Sequence, residues 1–76
     1  MPINPEELRP MIRTQRARTL SELLDAGCPI GQARELAAKK TRKIWGVLAD
    51  DLAERHPGQA PRIRRTIRTE LEGLPR

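Results

Sequence analysis

The sequence predicts an all-α domain, a small three- to four-helix bundle, and three observations carry that expectation. The 76 residues contain one aromatic, Trp45, and no Phe or Tyr, so the core has to be built from Leu, Ile, Val, Met and Ala, a set that suits helices better than strands. Apolar residues recur at three- and four-residue spacings over long stretches, the period of a helix face. Two clusters of Gly and Pro, at Gly27-Cys28-Pro29 and at His56-Pro57-Gly58-Gln59-Ala60-Pro61, punctuate the chain where helices would end and begin. Residues 1–76 read as one small domain. A chain this short buries only about 60% of its unfolded surface. A homodimer, or a partner protein, is the expected way to cover an apolar stripe that such a core leaves open.

The first element is the least regular. Asn4-Pro5-Glu6-Glu7 has the residues of a helix start, an Asn cap with Pro in first position. Pro10 would cost a helix interior about 3 kcal/mol, so the helix either begins near Arg9 or has a separate first turn. Leu8, Met11 and Ile12 form one apolar patch, and Arg13 to Arg18 then carry almost none. Residues 1–18 are therefore a first helix or a basic arm. From Thr19 the pattern firms: Thr19 and Glu22 have capping-box spacing, Leu20, Leu23 and Leu24 make an apolar face, and Gly27 closes a helix ending near Ala26.

Residues 30–55 hold the most regular stripe, Ile30, Ala33, Ala37, Ile44, Val47, Leu48 and Leu52, with Leu36 at its margin. One long helix fits the salt-bridge spacings of Glu35 with Lys39 and Asp51 with Arg55, and only Gly46 weakens it. The other reading turns the chain at Ala38-Lys39-Lys40 and starts a new helix near Thr41. After the break at 57–61, a last helix over 61–72 has the stripe Ile63, Ile67 and Leu71, with Leu74 beyond it and Arg62, Arg64, Arg65 and Arg68 around it; Gly73 and Pro75 end it. Such a basic amphipathic helix packs one side on the core and offers the other to phosphate.

Charge narrows the function. Fifteen Lys and Arg against ten Asp and Glu give a net charge of +5, which points to an acidic partner, either nucleic acid, with DNA favoured, or an acidic protein surface. One Cys and one His exclude an internal disulfide and a Cys/His zinc site within one chain, and a reducing cytoplasm is the simplest home. The N-terminus lacks the basic start and apolar run of a signal peptide, and no segment approaches the length of a membrane span. Enzymatic chemistry is not expected: there is no phosphate-binding glycine loop, no nucleophile elbow and no metal constellation, and Asp50 and Asp51, being consecutive, point to different helix faces. No catalytic residue, metal or cofactor is assigned.

The run Ile30-Gly-Gln-Ala-Arg-Glu-Leu-Ala-Ala-Lys-Lys-Thr-Arg-Lys-Ile-Trp-Gly-Val-Leu48 resembles the helix-turn-helix unit of lac-repressor-type DNA-binding proteins, with Ile30, Ala33, Leu36, Ala37, Ile44, Val47 and Leu48 at its apolar positions. The chain departs from that unit at Arg34, Ala38 and Lys39, where the family has a small residue, a turn glycine and an apolar residue. The resemblance implies that Thr41, Arg42 and Lys43 begin a recognition helix, that Lys39 and Lys40 lie near phosphates, and that the 41–46 region enters a groove. Arg62, Arg64, Arg65 and Arg68 would then grip the backbone, as part of a small, dimeric DNA-binding regulator of transcription. Trp45, alone among the side chains as an aromatic, is expected to anchor a core or interface rather than to stack on bases. The alternative is a non-enzymatic inhibitor or adaptor of the phage or plasmid type that covers an acidic or nucleic-acid-binding face of a larger protein.

Overall fold

In a computed structural model that describes residues 2–74, the chain forms three α-helices, α1 (Leu8–Asp25), α2 (Ile30–Arg55) and α3 (Ala60–Glu72), with 3-10 turns at Pro5–Glu7 and Pro57–Gln59 leading into α1 and α3. Among the described residues there is no strand. The all-α expectation holds, as a bundle of three helices. No helix among those residues is long and apolar enough to cross a membrane.

The Asn4 side chain accepts a hydrogen bond from the Glu6 amide at 3.1 Å, capping the turn at Pro5 as its sequence suggests. That turn runs directly into α1, so Pro10 occupies its third position. The amide of any residue there would have no intrahelical acceptor, and proline removes nothing. Residues 8–18 are thus helix and not a basic arm. The helix expected to start at Thr19 is only the later part of α1. Thr19 is buried in mid-helix and caps nothing, because the Arg, Gln and Ala residues before it are good helix formers and nothing interrupts them. The C-terminal end is as expected. Gly27, at φ +91°, is the one residue in the left-handed region among the described residues. The Cys28 amide donates to Leu23 O and the Gly27 amide to Leu24 O, both at 3.0 Å, the two bonds of a Schellman motif.

Residues 30–55 form a single helix. The turn at Ala38-Lys39-Lys40 is not made: Ala38 is fully buried in the helix, and the Thr41 hydroxyl donates back to Ala37 O at 2.7 Å. With Ala38 in place of the turn glycine, nothing in this segment favours leaving helical geometry. The Asp51–Arg55 bridge forms at 3.2 Å, whereas no bridge joins Glu35 to Lys39 among the described residues.

The buried seam of α2 differs from the expected stripe. Ala33, Ala37, Thr41, Trp45, Ala49 and Ala53 are buried at strict four-residue spacing, with Ala38 beside them. Ile30, Leu36 and Val47 are 57%, 48% and 68% exposed. A four-residue step advances about 40° beyond one full turn, so over five steps the seam winds about 200° around the helix. It thereby serves two neighbours, α1 and α3, in succession. Small residues along it let the helices approach closely, and Trp45 fills the space where all three meet.

The core is Leu8, Ile12, Trp45, Ala49, Ile63 and Ile67, with Ile44, Leu48, Leu52 and Leu71 packed around it. Trp45 is 4% exposed and its indole N–H donates to Gln15 Oε1 of α1. It is therefore a core anchor and not an interface one, the first of the two expected alternatives. At about 1.5 Å per residue α2 is about 39 Å long and α3 about 20 Å, which accounts for overall dimensions of 43 × 21 × 17 Å. The third helix covers half of the α1–α2 hairpin.

Candidate functional site

The structure separates basic residues that are tied into the fold from others that stand exposed without an ion pair among the described residues. Arg13 Nε lies 2.6 Å and Arg9 Nη1 3.3 Å from the two carboxylate oxygens of Glu70, tying α1 to α3, and Arg9 also reaches Glu6 at 2.8 Å. The Arg13 guanidinium, seconded by Arg9, holds the Glu70 carboxyl below its ordinary range against the opposing effect of burial. Hydrogen bonding to Glu6 raises Arg9 further, again against burial. Arg64 meets Asp50 at 2.6 Å, and Arg42 donates to Leu74 O at 3.2 Å, holding the end of the chain against α2.

Of the residues expected at 39–46, three stand ready for solvent. Lys39, Lys40 and Lys43 are exposed on one side of α2, and no ion pair reaches them among the described residues. They rim a hollow of about 430 Å³ floored by Thr19, Leu23 and Leu36. Thr41 is 0% exposed, so its expected place at the start of a recognition helix is corrected: it packs inside the bundle. Arg42 turns to the other side, into the groove between α2 and α3.

That groove, about 800 Å³, is lined by Arg42, Gly46, Ala49 and Asp50 from α2 and by Arg64, Ile67, Arg68, Leu71 and Glu72 from α3. It brings Arg42 of the first basic cluster beside Arg64 and Arg68 of the second. Arg62 and Arg65 are exposed outside it. Along α3, Ile63, Thr66 and Ile67 are buried while Arg62, Arg64, Arg65 and Arg68 are all exposed. Of the four arginines only Arg64 has an ion-pair partner among the described residues.

Three features escape a reading of the sequence. Glu70, flanked by Thr69 and Leu71, gives no local sign that it will receive two arginines from α1, because that pairing spans about sixty residues. Gly46 has no neighbour: a Cβ built there would meet nothing within 4 Å, so no packed helix within the chain requires it. Val47 looks like a core residue from its spacing and is the most exposed large apolar side chain. Among the described residues no group of three His, Cys, Asp or Glu converges as a metal site would require. Comparison with protein-family models, with curated proteins and with solved structures returns no match.

Proposed function

We propose that this protein is a non-enzymatic nucleic-acid-binding module that holds duplex DNA by its phosphate backbone through the exposed arginines of α3. The observation that carries the reading is the division of labour among its cations. Arg9, Arg13, Arg55 and Arg64 are matched by carboxylates, while Arg62, Arg65 and Arg68 stand exposed on one short helix without a carboxylate among the described residues. Ile63 and Ile67, fully or almost fully buried, fix that helix so that its arginine side cannot turn inward. Planar guanidinium groups on a rigid support suit bidentate phosphate contact.

Because α2 is one helix, the proposal assigns no separate recognition helix. It describes a binder of backbone, with a role in regulating DNA through occupancy rather than base reading. The test is fluorescence anisotropy with two labelled duplexes of unrelated sequence over a range of salt. Each phosphate contact contributes about 0.9 to the slope of log affinity against log salt, so three arginines account for about 2.7. Replacing Arg62, Arg65 and Arg68 by Ala should flatten the slope by that amount and weaken both duplexes alike. A slope unchanged in the triple variant refutes the assignment. No binding of the unmodified protein to either duplex at low salt overturns the proposal and leaves an acidic protein surface as the partner class.

A further inference from the structure

The solvent face of α2 carries a second pattern, independent of α3 and of the reading just given. Leu36, Lys40, Lys43, Val47, Asp50 and Glu54 are all exposed and follow one another at spacings of four, three, four, three and four, the repeat of a helix seam that meets another helix. The stripe carries two apolar residues, Leu36 and Val47, among four charged ones. Its charges are segregated: Lys39, Lys40 and Lys43 precede Gly46 by three to seven residues, and Asp50, Asp51 and Glu54 follow it by four to eight.

This polarity runs against the helix's own electrostatics. The C-terminal end of a helix favours cations, yet Asp51 and Glu54 occupy the last turns of α2, and the lysines lie upstream of them. The compensation available inside the chain is partial. Arg64 takes Asp50 and Arg55 takes Asp51, while Glu54 and the three lysines have no partner among the described residues. Reversing α2 end for end about the midpoint between Gly46 and Val47 maps the basic segment 39–43 onto the acidic segment 50–54. Val47, 68% exposed, is the stripe residue at that midpoint, whereas Gly46 faces the groove between α2 and α3.

We infer that this face of α2 is a self-complementary surface that binds a second copy of the same chain, the two α2 helices antiparallel and crossing at Val47. Lys39, Lys40 and Lys43 of one copy face Asp50, Asp51 and Glu54 of the other, twice over by two-fold symmetry. Val47 of each copy packs against Val47 of the other across the two-fold axis. The antiparallel arrangement also opposes the two helix dipoles. Arg62 and Arg65, outside the groove that Gly46 lines, stay free, so the pair carries the α3 arginines in duplicate.

The experiment is sedimentation equilibrium on the full chain without nucleic acid, from micromolar to millimolar concentration. The expected species at low salt has twice the 8.6 kDa chain mass. Because the pairing rests on exposed charges, its dissociation constant should rise at least tenfold between about 0.05 M and 1 M salt, as the screening length falls to about 3 Å. Val47→Lys should give a monomer with unchanged helicity by circular dichroism, since the position is exposed within the chain and like charges would meet across the two-fold. Two charge-reversed chains complete the test, one with Lys39, Lys40 and Lys43 changed to Glu, the other with Asp50, Asp51 and Glu54 changed to Lys. Each alone should be monomeric, and a one-to-one mixture should dimerise. A monomer at millimolar concentration and low salt overturns the inference. So does a dimer that tolerates Val47→Lys, or reversed chains that fail to pair with each other while remaining helical.

Discussion

Replacing Trp45 by Ala tests the architecture most directly. Trp45 is 4% exposed and touches the point where α1, α2 and α3 meet. An aromatic of this size buries about 150–250 Å², which at about 25 cal/mol per Å² is worth about 4–6 kcal/mol. Measured truncations of core aromatics cost about 3–5 kcal/mol. Against this, a domain of 76 residues has a stability of only about 4–11 kcal/mol at ordinary values per residue, and small single cores fall toward the low end. Trp45→Ala should therefore be largely unfolded or within about 1–2 kcal/mol of the midpoint at 25 °C, taking the lower stability figure. Trp45→Phe retains most of the ring but strands the Gln15 side-chain oxygen that accepts from the indole, a loss of about 1–2 kcal/mol. The assay is urea unfolding followed by far-ultraviolet circular dichroism, which needs no tryptophan. An Ala variant with the midpoint of the unmodified chain would refute the placement of Trp45 in the core.

Two further predictions concern the joints of the bundle. Glu70→Gln removes the charge that Arg9 and Arg13 share and should cost about 1 kcal/mol near neutral pH, the upper end for an incompletely buried pair. Since the folded-state value is depressed below the ordinary 4.5, the stabilisation is fully present above that value and is lost as pH falls through the folded value. The stability difference between the two proteins should accordingly close in acid, and a difference that persists there would contradict the ion-pair account. Gln59 holds the N-terminal strand of chain by accepting from the Ile3 amide at 3.0 Å and donating to the Ile3 carbonyl. In Gln59→Ala, amide hydrogen exchange should accelerate at Ile3 while the centre of α2 keeps its protection; unchanged protection at Ile3 would show that the two bonds do not hold the segment.

Much of the fold was legible without coordinates. The composition excluded a strand-based core, Asn4-Pro5 and Gly27 marked their ends correctly, and the Gly and Pro residues from His56 to Pro61 separated α2 from α3. Ile63 and Ile67 were identifiable as the buried side of α3, leaving Arg62, Arg64, Arg65 and Arg68 outward. Local signals misled at two places. Thr19 and Glu22 have the spacing of a cap, yet a capping box works only where the preceding residue leaves the helix, and Arg18 does not. The 30–48 segment matches apolar positions of a bihelical unit, but without a residue to break the helix those positions are equally met by one long helix.

The sequence by itself determined that the fold is helical, where Gly and Pro stop the helices, and that cations outnumber anions, because each of these follows from composition and from interactions among near neighbours along the chain. Only the tertiary structure decided which face of each helix is inside. Large apolar residues dominate any periodicity, and in α2 they misidentify the seam: Ala33, Ala37, Thr41, Ala49 and Ala53 are buried, while Leu36 and Val47 face solvent. That choice depends on two neighbours that approach α2 from different directions and need small residues to come close. The same packing decided that Thr41 is buried, that Glu70 claims Arg9 and Arg13, and that Lys39, Lys40, Lys43, Arg62, Arg65 and Arg68 stay exposed without an ion pair among the described residues. A charge's role depends on what lies within a few ångströms of it, and for this chain those neighbours come from segments up to sixty residues away.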